Sequence, residues 1–169
     1  MTQETSIRYV TPFNGPIEIG LRALSVLNDA FSEAYSLQRL IIFDYLLVHS
    51  DDMPGGPLGL HPKTPHRGGE LLVRRNVLQE GLLLYQSRGL VERVFMKDGI
   101  FYVATEHSAG FLDSLRSAYV QNLRDRAAWV VDSFGQRPEM EIEKIIHQHI
   151  GEWGAEFEME SVLWMEESS

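Results

Sequence analysis

Apolar residues recur at three- and four-residue intervals through the first half of the chain, and this spacing predicts helices. Over residues 17–31, Ile17, Leu21, Leu24, Leu27 and Phe31 keep the helical interval and mark one buried face. Pro16 stands at the start, where its missing N–H costs nothing. A second helix is predicted over 36–49, with Ser36 as N-cap. Its Leu37, Leu40, Ile41, Phe43, Tyr45, Leu46, Leu47 and Val48 cover more than one face. A helix apolar nearly all round belongs at the centre of a fold. A third helix is predicted over 69–87, with Leu71, Leu72, Leu78, Leu82 and Tyr85 inward and Gly89 as its C-cap.

The period then changes. Residues 90–96 and 100–105 are β-favouring runs flanking Lys97-Asp98-Gly99, and Asp-Gly in that setting is a strong hairpin signal. Three helices followed by a hairpin is the order of a winged helix-turn-helix, with 69–87 in the recognition position and 90–105 as the wing. One long helix is predicted over 108–134, carrying Phe111, Leu112, Leu115, Tyr119, Leu123, Ala127 and Val130 on one side. A further helical pattern covers 139–150. The expected fold is therefore mainly α, of the α+β kind: a winged-helix core, C-terminal helices and an acidic arm. The expected divisions are a flexible N-terminus at 1–12, a core at 13–137 and an arm at 138–169.

Charge separates the arm from the rest. Of the net −9, residues 138–169 carry −8 and residues 1–137 only −1. Apolar residues at 44% and charged residues at 23% are an ordinary globular balance. The chain has no cysteine, which excludes disulfides, thiolate zinc sites and cysteine nucleophiles, and fits a reducing cytoplasm. The N-terminus does not read as a signal peptide. The apolar stretch 40–48 is broken by Asp44 and too short to span a bilayer, so no membrane partner is expected.

Four features could carry chemistry. Residues 50–69 contain four prolines and five glycines, a long loop by composition that Leu58 and Leu60 could pin to the core. Around it lie Asp44, His49, Asp51, Asp52, His61, His66 and Glu70, all metal-capable. Their spacing matches no zinc pattern, so His61, His66 and Arg67 are expected to act structurally or at a subunit contact. Asp44 is expected to be a buried anchor for the loop, paired with Arg39 or Arg67, its replacement by Ala costing about 1–3 kcal/mol. The stretch 63–97 carries a local charge of +4. There Arg74, Arg75 and Arg93 are the candidates for a face that meets DNA or an acidic protein surface; the bland alternative is a solvated face. The fourth feature is the tail, where acids alternate with apolar residues. Trp153, Phe157, Leu163 and Trp164 there suit docking on a partner or packing back on the chain's own core. No P-loop, G-x-G-x-x-G or G-x-S-x-G occurs, so no catalytic or cofactor-binding residue, metal or small-molecule substrate is assigned.

The phrases F13-N-G-P-I-E-I-G-L-R-A-L, L37-Q-R-L, F43-D-Y-L-L-V-H-S and L60-H-P-K-T-P-H-R-G-G-E-L-L-V-R-R resemble the middle component of ABC-three-component systems, as do G89-L-V-E-R-V-F and R126-A-A-W-V-V. The resemblance covers about 13–134, and its most specific part is the His-Pro-x-Thr-Pro-His-Arg run. It implies a small non-enzymatic subunit of anti-phage or anti-plasmid defence, with the logic of Lamassu-type systems. Such a subunit bridges an SMC-like ABC ATPase and an effector nuclease, with DNA reached through the complex. The alternatives are a winged-helix DNA-binding regulator and a metal-dependent hydrolase built on the His/Asp loop.

Overall fold

The computed structural model describes residues 15–60 and 70–150. Within them, α1 (Pro16–Asp29), β1 (Tyr35–Ser36), α2 (Leu37–Val48), α3 (Glu70–Ser87), β2 (Val91–Met96), β3 (Gly99–Ala104), α4 (Ser108–Asp113), α5 (Ala118–Phe134) and α6 (Glu139–Ile150) follow in order. The architecture is mainly helical with a small three-stranded antiparallel sheet, in strand order β1-β3-β2. The expected flexible N-terminus lies outside the described residues.

Local chemistry accounts for most boundaries. Pro16 opens α1, and the Ser36 hydroxyl accepts the Arg39 N–H at 3.1 Å to cap α2. Every residue of α2 from Leu40 to Val48 is buried, as its all-round apolar pattern requires. At the end of α3, Gly89 takes φ +73, and the Leu90 N–H reaches back to the Tyr85 carbonyl at 3.0 Å. This is the left-handed stop expected of Gly89.

The α1–α3 crossing is built on two glycines. A Cβ at Gly81 would lie 2.5 Å from the Pro16 carbonyl oxygen and 3.0 Å from the Gly20 Cα, so only hydrogen lets the backbones meet. Tyr85 closes the crossing by donating its hydroxyl to the Ile17 carbonyl at 2.9 Å. Burial, and then the charge of Glu18, push the Tyr85 pKa up to about 12. It stays a protonated donor at any ordinary pH.

Several expectations need correction. The helix predicted over 108–134 is two helices, because Ser117 accepts the Val120 N–H at 3.2 Å and starts α5 afresh. The hairpin loop is two residues, Lys97 and Asp98, since Gly99 at φ +127 already pairs with Met96. Strand β1 was not expected, because two residues carry no alternation; it pairs Tyr35 with Tyr102 and Ser36 with Phe101. Helix α6, the first part of the expected helix and arm at 138–169, buries Ile142 and Ile146 with the core. Ser36 Oγ also bonds Glu139 Oε1, and Arg39 donates to the Arg137 carbonyl at 2.8 Å, so α6 starts beside β1 and α2.

Candidate functional site

Charge inside the helical core converges on Asp44. Leu40 and Val48 flank it at i−4 and i+4, so it lies on an inward face of α2. Arg22 of α1 donates from Nε to Asp44 Oδ1 at 2.5 Å and from Nη2 to Oδ2 at 3.1 Å. Arg74 of α3 donates from Nη1 to the same Oδ2. Arg22 is 1% exposed, Asp44 2% and Arg74 9%. Burial alone would raise the Asp44 pKa; the charges and hydrogen bonds of Arg22 and Arg74 outweigh it and hold the carboxyl below its usual range. For Arg22, burial works to lower the pKa, but Asp44 and then the Tyr119 hydroxyl raise it above the ordinary arginine value.

Asp44 is therefore buried and paired, with Arg22 and Arg74 as its partners among the described residues. Arg39 does not pair with Asp44: it stacks over Tyr35 and donates to the Phe134, Gly135 and Arg137 carbonyls at the end of α5. Arg67 lies outside the described residues. Among the described residues, Asp44 ties α1, α2 and α3 together. The missed partner, Arg22, had a signal: it stands three residues after Ile19 and four before Val26, on the buried face of α1.

The depressed Asp44 pKa carries a pH consequence. Its unfolded value is near 3.8, and a carboxylate held lower when folded stabilises the fold above that value. This contribution should be lost as pH falls below about 4 and through the folded value. Urea midpoints measured from pH 7 down to 2 should show the loss, and a variant with Asp44 and both arginines replaced by apolar residues should show a shallower acid limb.

The expected basic face is not assembled as predicted. Arg74 is committed to Asp44, and Arg75 is also buried. Only Arg93 presents outward, on β2, with its guanidinium 5.3 Å from the Phe95 ring centroid. The exposed residues of α3 from position 76 to 87 are Asn76, Gln79, Glu80, Leu83, Leu84 and Ser87. The hairpin tip adds Phe95, Met96 and Ile100, all exposed. The described surface here mixes apolar residues and amides with exposed charges of both signs: Glu80, Arg88, Glu92, Arg93, Lys97 and Asp98.

The described part of the loop, residues 50–60, is held by its backbone. Ser50 Oγ donates to the Pro57 and Leu58 carbonyls at 2.9 and 3.2 Å, the Leu60 N–H to Val48 at 3.0 Å, and Arg126 Nε to Leu58 at 2.9 Å. Leu60 packs partly on the core as expected, whereas the Leu58 side chain is exposed. Tyr45 donates to Asp52, and the His49 ring lies 4.9 Å from that of Tyr45. His61 and His66 lie outside the described residues, as do Trp153, Phe157, Leu163 and Trp164. Among the described residues, no three His, Asp or Glu side chains converge as a metal site, and no helix is long and apolar enough to cross a membrane.

A family model described as ABC-three component (ABC-3C) system Middle Component 2 matches residues 12–156. Searches of curated proteins and of solved structures give no match.

Proposed function

The chain belongs to the Middle Component 2 family of ABC-three component systems, and from that premise we propose that it is a non-enzymatic adaptor subunit of a prokaryotic defence complex. It would bridge an SMC-like ABC ATPase and an effector nuclease in the cytoplasm, in the manner of a Lamassu-type assembly. The order α1, β1, α2, α3, β2, β3, with strand order β1-β3-β2, supports taking this part as a winged helix-turn-helix whose wing is β2–β3.

One observation favours an adaptor over a DNA-reading regulator. In a winged helix α3 would occupy the recognition position, yet Arg74 and Arg75 are buried and its exposed residues from 76 to 87 include no lysine or arginine. Phosphate contacts need cations on that face, whereas exposed leucines and amides suit a protein surface. The basic contact then rests on Arg93 and Lys97 at the wing and Arg88 after α3, facing an acidic protein or DNA held by the complex.

Co-expression with the ATPase and effector encoded alongside it tests this reading. A stable complex containing all three chains is expected, and a chain that elutes free of both overturns it. The isolated chain should bind duplex DNA weakly at physiological salt, because its net charge of −9 repels phosphate. Tight, sequence-selective binding in a fluorescence titration would favour the regulator instead. The tail aromatics join the proposed docking surface: Trp153→Ala or Trp164→Ala should cost about 2 kcal/mol of assembly affinity by calorimetry.

A further inference from the structure

The outer edge of β2 is open among the described residues, and its backbone pattern can be worked out. A two-residue loop makes Met96 and Gly99 a hydrogen-bonded pair. Alternation then sends the backbone groups of Glu92, Val94 and Met96 toward β3, and those of Val91, Arg93 and Phe95 away from it. The Thr105 N–H bonding the Leu90 carbonyl at 3.0 Å continues the same register. On the other side of β3 sits β1, so β2 is an edge strand.

This edge has the composition of a strand that is normally covered. It holds no proline, and Phe95 is 72% exposed, Met96 51% and, across the hairpin, Ile100 44%. Its two faces differ. One carries Arg93 and Phe95, with Ile100 opposite Phe95; the other carries Glu92, Val94 and Met96 beside the half-buried Phe101 and Val103 of β3. An open edge strand that exposes apolar side chains such as Phe95 and Met96 is a template for another strand.

The chain contains a segment of matching pattern. From 152 to 160 it reads Glu-Trp-Gly-Ala-Glu-Phe-Glu-Met-Glu, a period-2 alternation. In a strand, Trp153, Ala155, Phe157 and Met159 would share one face, and Glu152, Glu156, Glu158 and Glu160 the other. We propose that residues 152–160 add to the open edge of β2 as a fourth strand in the free chain. The glutamates then lie beside Arg93, with Lys97 near, and the apolar face extends that of Val94, Met96 and Phe101. Chain length permits it. Helix α6 starts beside β1 and its 12 residues span about 18 Å, while the sheet from β1 to the far side of β2 is about 15 Å across. Such pairing occurs in the free chain and does not depend on the adaptor role.

Amide exchange by NMR on the full chain tests it. The Arg93 and Phe95 amides should exchange slowly in the parent, and on the order of a hundredfold faster in the full-length variant Phe157→Pro, Met159→Pro. The Val94 and Met96 amides, bonded to β3, should stay protected in both and so report that the sheet is intact. Fast exchange at Arg93 and Phe95 in the parent, or protection indifferent to the prolines, overturns the proposal. A second measurement needs no proline. Since the chain lacks cysteine, Phe157→Cys carries a single spin label, which should broaden the Phe95 and Lys97 resonances. Absence of broadening overturns the proposal. So does broadening that vanishes when labelled chains are diluted into unlabelled ones, which would assign the edge to a second copy.

Discussion

Replacing Asp44 by Ala should destabilise the fold by about 3–5 kcal/mol, the usual cost of removing one partner from a buried ion pair. This exceeds the roughly 1–3 kcal/mol expected for a carboxylate that only satisfies neutral donors, because two guanidiniums depend on it. Arg22 is 1% exposed and Arg74 9%, and neither can turn to water without opening the helical core. Asp44→Asn should recover little, since an amide keeps one acceptor but removes the charge that both arginines face. Replacing all three residues together by leucine and methionine should cost far less than Asp44→Ala alone, and could be neutral, because the desolvation of three charges disappears with them. Urea unfolding of the three variants measures this. If Asp44→Ala melts with the parent, the triad contributes nothing to stability.

Gly81→Val should cost about 3 kcal/mol, toward the upper end of the overpacking range. The atoms a Cβ would strike at Gly81 belong to the backbone of α1, the Pro16 carbonyl and Gly20, and cannot rotate aside. The helices must separate, which strips Leu24, Leu27, Leu78 and Leu82 of contacts in the same buried cluster. Gly110→Val is the matched control, since nothing lies within 4 Å of the point a Cβ would occupy there and its backbone φ is not left-handed. Any change at that position reflects helix propensity alone, about a few tenths of a kcal/mol. Thermal melts of the pair separate the two effects, and equal shifts would refute the role assigned to the crossing.

Much of the fold was legible along the chain because its causes are local. Three helices, the Ser36 cap, the Gly89 stop and the hairpin follow from periodicity, side-chain capping and φ preference, each settled within a few residues. Asp44 in the apolar stretch of α2 from Leu40 to Val48 was legible as a buried residue for the same reason: a lone acid on an inward face must be paired. The family was legible in short phrases, and the match over 12–156 bears that out.

What the chain could not disclose were decisions made between distant segments. Whether a given arginine serves Asp44, caps α5 or faces outward depends on where α1, α3 and α5 cross, and Arg22, Arg39, Arg74 and Arg93 look alike in one dimension. Sequence spacing placed Arg74 and Arg75 on a basic face, whereas packing turned both inward. Strand β1 exists only because β3 lies alongside it to accept two residues. Local pattern determined the elements and the need for a buried partner; tertiary packing decided which residue became that partner, because a long flexible side chain takes its role from the charge within its reach.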